Sequence, residues 1–252
     1  QISENDLQLM DKWILSKLHS FIKDSEISLN EFRADKLMRK FEIFLEELSN
    51  WYIRRSRRRF WKSEDDNDKK AAYQVLYEVL ATSIKVLAPI LPFVTEEIYQ
   101  NLICNLVKNS PESIHLCDYP KADESKINNE LIEKIDSLRK LVEYGRSARN
   151  KANVKIRQPL SELSFHIEDD NIADFIKDQQ SIVLDELNVK TLIRVESASE
   201  LIKYDVKPNL PLLGQKFGKD LDMIRKCLTD IDSVEILDEI RKSKKYKLEF
   251  DS

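Results

Sequence analysis

The residues best equipped for chemistry sit in one run of twelve. Trp51, Tyr52, Ile53, Arg54, Arg55, Ser56, Arg57, Arg58, Arg59, Phe60, Trp61 and Lys62 bring six cations and four aromatic rings together. Cationic side chains pair with phosphate oxygens, and indole or guanidinium planes stack on unpaired bases, so the mixture suits single-stranded nucleic acid. The same run also has a structural reading. At about 100° per residue, the apolar face of the preceding helix, carried onward, passes through Arg55 and Arg59. Those two then point into the protein and pair with Glu78, Glu96 or Glu97, which leaves Arg57 the best placed for exposure.

A second basic group, Arg146, Arg149, Lys151, Lys155 and Arg157, could touch phosphates or could simply be a solvated helix end favoured by the helix dipole. Other candidate chemistry is weaker. The stretch from Gly214 through Gly218 and Lys219 is one residue too short for a phosphate loop, and Asp220 stands where Ser or Thr would hold magnesium, so it reads as a turn before a helix. His115 and Cys117 have no second ligand pair nearby, and neither His19 nor His166 has a nucleophile or carboxylate at a motif spacing. Adjacent carboxylates such as Glu46 and Glu47 diverge on a helix rather than converge on one bond. No catalytic residue and no metal ligand is assigned.

The elements that hold these residues are mostly helices. With 3 Gly, 7 Pro and 34% charged residues among 252, the composition favours helices over turn-rich β folds. Apolar residues recur at three and four from Met10, Trp13 and Ile14 to Ile22, from Leu37 to Tyr52, from Ala72 to Leu87, and from Leu131 to Val142. Asp65 and Asp66 offer caps between the second and third helices, and Pro89 ends the third. Pro92 opens a fourth, whose apolar positions are Val94, Ile98, Leu102, Ile103 and Leu106. Beyond about 153 the period shortens to two: Leu163, Phe165 and Ile167, then Val189 to Val195, Ile202 to Val206, and Tyr246 to Phe250, with a helix from Phe217 to Leu228. The fold expected is mainly α: an antiparallel helical bundle over residues 1–153, followed by a small α+β domain over 154–252.

The formal charge of −4 gives no bulk attraction for nucleic acid, yet residues 1–62 carry 13 basic against 10 acidic side chains and are the only net basic segment. Cys104, Cys117 and Cys227 are odd in number and widely spaced, as reduced cytoplasmic thiols are. No run of 18 apolar residues exists. The polar start without Met suggests a piece of a longer chain.

At Leu48, Ser49, Asn50 and onward through Trp61, the sequence closely resembles the anticodon-binding region of isoleucyl-tRNA synthetases. The resemblance extends to Asp11, Lys12, Trp13, Ile14, Leu15, Ser16, Lys17 and Leu18, and to the run from Leu87, Ala88 and Pro89 through Glu96, Glu97, Ile98 and Tyr99. Val154, Lys155, Ile156, Arg157, Gln158, Pro159 and Leu160 are similar to the bundle exit of the archaeal and eukaryotic-like type. The resemblance is strong to about residue 167 and weaker beyond. The Leu-Ala-Pro turn is shared with valyl and leucyl enzymes; the arginine run closed by Phe-Trp favours isoleucine.

The resemblance implies class I anticodon-binding architecture and a cytoplasmic, monomeric parent that attaches isoleucine to tRNA(Ile) using ATP and magnesium, with zinc as a further candidate cofactor. The fragment itself implies no cofactor and no membrane, and it lacks the His-Ile-Gly-His and Lys-Met-Ser-Lys-Ser signatures, so it should not form an adenylate. The residues implied to bind tRNA are Trp51, Arg54, Arg57, Arg58, Trp61, Lys62, Arg146, Arg149, Lys155 and Arg157. The alternatives are a valyl or leucyl counterpart, or a helical scaffold for protein partners.

Overall fold

A computed structural model describes residues 6–62 and 66–198, with scattered positions from 209 to 246. The chain divides into two compact units, Gln1–Asp136 and Ser137–Ser252.

In the first unit, α1 (Leu9–Asn30) buries Trp13, Ile14, Leu18, Phe21 and Ile22, the face that the spacing predicts. It stops where Phe32 adopts a left-handed φ of 55°, and the Arg33 amide turns back to the Ser28 carbonyl at 2.8 Å. Next, α2 (Ala34–Glu46) buries Leu37 and Phe44, and Phe44 stacks on Phe21 with ring centroids 5.1 Å apart. A π-helical stretch, Glu47–Ile53, leads without a break into α3 (Arg54–Lys62).

That π-helical stretch corrects one expectation. Each wider turn admits an extra residue and rotates the helix beyond it. The buried positions of α3 are therefore Ser56, Arg59 and Phe60, with Arg55 only partly covered, rather than Arg55 and Arg59 together. After it, α4 (Asp66–Leu87) buries Ala71, Ala72, Val75, Val79, Val86 and Leu87, and it packs against both α1 and α3.

The break at Ala88–Leu91 forms as the prolines predict, with the amides of Ile90 and Leu91 both donating to the Leu87 carbonyl at 2.9 Å. Pro92 then begins α5 (Pro92–Tyr99), which continues as a π-helical stretch through Cys104. Its buried face is Thr95, Tyr99 and Ile103, whereas the predicted Val94, Ile98 and Leu106 are exposed. Two polar anchors choose this face. The Tyr99 hydroxyl donates to the Pro111 carbonyl at 2.9 Å, and the Glu96 carboxylate accepts from Ser113 Oγ at 2.8 Å and the Ile114 amide at 3.0 Å. Ile84, Ala88, Tyr99, Ile103 and Ile114 form the small core beneath. The connection after it carries single 3₁₀ turns at Ile114–Leu116 and Glu124–Lys126 and leads to α6 (Asn129–Lys151). This last helix buries Ile135, Leu138 and Val142.

In the second unit, β1 (Leu160–Phe165) and β2 (Val189–Arg194) pair in parallel, with Leu160 opposite Val189 and Phe165 opposite Arg194. Parallel neighbours need a crossover. Here it is α7 (Asp170–Asp178), capped by Asp169 accepting from the Asn171 amide at 2.8 Å, and α8 (Gln180–Leu187), ended by Asn188 at a φ of 49°. Phe165, Ala173, Ile176, Val183, Leu187 and Val189 are buried. The strand expected at 202–206, most of that at 246–250, and the turn at 214–219 lie outside the described residues. Of the helix expected over 217–228, the described positions Ile224 and Lys226 to Leu228 are helical.

Candidate nucleic-acid interface

The nine residues of α3 include five arginines and one lysine and no acidic side chain. Like charges three and four apart on a helix repel, so the helix depends on partners elsewhere. They are supplied from beneath. The Arg59 guanidinium donates through Nη1 and Nη2 to the two carboxylate oxygens of Asp11, each at 2.8 Å, and through Nε to Asp68 Oδ1 at 2.9 Å. Asp11 is fully buried and also accepts from the Tyr52 hydroxyl at 2.8 Å and the Gln8 amide at 2.9 Å.

Such bidentate pairing fixes geometry as well as charge. Burial pushes the Tyr52 pKa up, reinforced by the charge of Asp11 and the hydrogen bond to it. Burial alone would lower the Arg59 pKa, but the hydrogen bonds and charges of Asp11 and Asp68 outweigh it and raise it. The expected inward role of Arg59 is thus present, with a correction to its partners. They are Asp11 and Asp68, not Glu78, Glu96 or Glu97, since Glu96 serves the 113–114 loop and Glu97 accepts from Asn101 at 3.1 Å.

The opposite face of the helix points outward. Arg54, Arg57 and Arg58 are exposed, and Trp61 is 66% exposed, with the Arg57 guanidinium 5.7 Å from its ring centroid. Arg54 Nε donates to the Asn50 carbonyl at 2.8 Å. Trp51, by contrast, is 8% exposed and belongs to the core. The backbone of Lys62 closes α3, and its side chain lies outside what the structure describes.

The second basic group, in the second unit, divides in the same manner. Arg149 is buried, and its Nη2 donates to the carbonyls of Lys155, at 2.9 Å, and Gln158. Asn188 Nδ2 donates to the carbonyls of Ile156 and Arg157, both at 3.0 Å. This staple orders the turn after α6 and presents Lys155 and Arg157 to solvent. Arg146 forms an ion pair with the buried carboxylate of Glu186.

The remaining candidates do not converge. His115 is exposed, Cys117 packs on Tyr99 with Sγ 3.5 Å from its hydroxyl, and His166 Nδ1 lies 3.1 Å from the Val195 carbonyl. Among the described residues, no group of three or more His, Cys, Asp or Glu side chains gathers, and no helix is long and apolar enough to cross a membrane. The arrangement offers charge, hydrogen-bond donors and one exposed indole. It can hold a polyanion with unstacked bases.

Comparison with known proteins agrees. Residues 11–164 match the family model described as the anticodon-binding domain of tRNA ligase. The chain is 44% identical over 250 residues to the isoleucine–tRNA ligases of Clostridium novyi and Clostridium tetani, and 40% identical over 250 residues to that of Clostridium kluyveri. Each match covers 99% of this chain and 23% of the relative, so the chain spans about a quarter of the length of these relatives. All three are bacterial and lend no support to the archaeal side of the subtype expected from residues 154–160.

Proposed function

We propose a tRNA-binding role for this chain, which belongs to the anticodon-binding domain family of tRNA ligases: it holds the anticodon stem and loop of tRNA(Ile) for an isoleucine–tRNA ligase. The observation that carries this reading is the two-faced α3, riveted to the core through Arg59 and Asp11 while Arg54, Arg57, Arg58 and Trp61 face solvent. Phosphate neutralisation supplies affinity, and splayed, stacked anticodon bases supply selectivity. In the second unit Arg146, Lys155 and Arg157 add exposed charge, while buried Trp51 and Arg149 each shape the element that carries the cations of its own unit. Isoleucine is favoured over valine and leucine by the identity of the relatives.

In this reading, residues 1–153 form the antiparallel bundle and 154–252 an appended α+β domain of a monomeric, cytoplasmic parent. ATP, magnesium and any zinc belong to the remaining length of that parent, as do adenylate formation and acyl transfer to the tRNA 3′ end. The test is the affinity of the chain for tRNA(Ile) at several salt concentrations. Ala at Arg54, Arg57, Arg58 or Lys62 should weaken binding and make the slope of log affinity against log salt shallower by about 0.7 to 0.9 for each lost phosphate contact. Wild-type affinity and slope in all four variants would remove α3 from the interface. Isoleucine-dependent pyrophosphate exchange by this chain alone would contradict the proposed division of labour.

A further inference from the structure

The three tryptophans differ sharply in exposure. Trp13 is fully buried and Trp51 nearly so, but Trp61 presents two thirds of its surface to water. An exposed indole forgoes the hydrophobic stabilisation that burial would bring, and an uncovered ring of this size on a helix rich in arginine calls for an occupant. Its setting is rigid on one side. Among the described residues, the ring meets Phe60 edge-on at 6.3 Å and lies beneath the Arg57 guanidinium at 5.7 Å. Phe60 is itself buried, tilted against Tyr73 at 5.1 Å, so the indole rests on a fixed support.

We propose that Trp61 is the stacking platform for one unpaired nucleobase of the anticodon loop, with Arg57 covering one face of the indole and the base taking the other. This deepens the tRNA-binding reading above and rests on it. The pair suits RNA better than an acidic protein surface because an unpaired base can cover the exposed indole while a phosphate meets the guanidinium, whose face alone is engaged in stacking. Its N–H donors remain in plane and available to a phosphate. Arg58 stands next to it, exposed, for a second phosphate. The indole has a π face that any base can cover, so the platform contributes affinity and orders the loop without choosing the base. Trp51 is excluded from this role by its burial, although its residue type and place in the run are equivalent.

The exposure pattern also supplies the assay, since a soluble quencher such as acrylamide should reach Trp61 and spare Trp13 and Trp51. Titrating the chain with tRNA(Ile) transcript should quench tryptophan emission and shield the remainder from acrylamide. Trp61→Phe should abolish that optical change while keeping much of the affinity. Trp61→Ala should weaken binding by about 5- to 150-fold, the range for one base stacked on an aromatic ring. Its salt slope should stay wild-type, because stacking releases no counterions, and its melting temperature should not change. Arg58→Ala should do the reverse to the slope.

If tRNA(Ile) binds with no change in emission, or Trp61→Ala keeps wild-type affinity, the platform is refuted while the anticodon-binding reading stands. A loss of affinity in Trp61→Ala accompanied by a shallower salt slope would also refute it, because the ring would then act only by placing cations. If the wild-type chain shows no tRNA binding at any salt concentration, the reading itself fails, and the platform with it.

Discussion

Replacing Arg59 with Ala tests whether α3 is held by its buried ion pair. The substitution removes two 2.8 Å bonds to Asp11 and one of 2.9 Å to Asp68. Asp11, with no exposed surface, would retain, among the described residues, the Tyr52 hydroxyl and the Gln8 amide. Stranding a buried charge in this way costs about 3 to 5 kcal/mol. For a chain of this size, about 2 to 4 °C of melting temperature goes with each kcal/mol, so thermal unfolding followed by far-ultraviolet circular dichroism should move down by about 6 to 20 °C. The mechanism makes a second, sharper demand. If the loss comes from an uncompensated carboxylate, Asp11→Asn in the Arg59→Ala background should restore part of it, because the stranded charge is gone. Arg58→Ala, at an exposed position one residue away, should change stability by no more than about 0.5 kcal/mol. A shift below about 2 °C for Arg59→Ala, or full additivity of the Asp11 and Arg59 variants, would refute the reasoning.

The packing sets three further outcomes. His19 is buried, its Nδ1 accepts from the Asp123 amide at 3.2 Å, and burial, helped by Lys126, holds its pKa below the ordinary value. The folded chain therefore favours neutral His19, whose contribution is complete above about pH 6.5 and is lost as pH falls toward the folded value. The difference in melting temperature between about pH 7.5 and about pH 5.5 should be smaller in His19→Gln than in wild type; an unchanged difference would contradict this. A Cβ on Gly145 would clash with the buried Leu187 side chain at Cδ1. Gly145→Ala should thus destabilise by up to about 2 kcal/mol, overpacking of about 1 to 3 kcal/mol outweighing about 1 kcal/mol of helix propensity; adding Leu187→Ala should cost less than the sum, and an additive pair of melting shifts would show that no clash exists. Glu96→Ala removes the acceptor of the Ile114 amide, so hydrogen exchange at that amide should quicken by about 10- to 150-fold, and an unchanged rate would show the loop held by Tyr99 and Gln100 without it.

Most of the helical framework was legible because its burial repeats at a single period. Trp13, Ile14, Leu18, Phe21 and Ile22 lie where a regular helix puts them, and Pro89 and Pro92 bound the break between α4 and α5 for reasons internal to proline. The face of α5 was not legible. Val94 and Ile98 make as good an apolar pair as Thr95 and Tyr99, and local periodicity ranks valine and isoleucine above threonine. The decision came from the 111–114 loop, whose backbone groups find their acceptor in Glu96 and donors in Tyr99 and Gln100. The π-helical stretches were hidden for a related reason. Leu48, Trp51 and Tyr52 fit three-and-four spacing equally well in either helix, and the added residue shows itself only downstream, where Ser56 replaces Arg55 at the buried edge.

The cation cluster shows what a residue count misses and what could have been read. Five arginines share one helix, yet Arg59 is buried and Arg57 and Arg58 are exposed, so side-chain type says nothing of role. The overlooked signal lay 48 residues before Arg59. Asp11 stands three residues before Ile14 and seven before Leu18, squarely on the apolar stripe of α1. A carboxylate at such a position must find a cation or lose its charge, and the strongest source of cations in the chain is the 54–62 run. Arg149 offered no comparable signal, because the acceptors that bury it are backbone carbonyls of a turn, which every sequence possesses. The two anchors therefore serve one physical end. A segment dense in positive charge destabilises itself through repulsion between neighbours, and it stays ordered enough to present its remaining cations when some of its arginines are turned inward and bonded to carboxylates, as Arg59 is, or to backbone carbonyls, as Arg149 is.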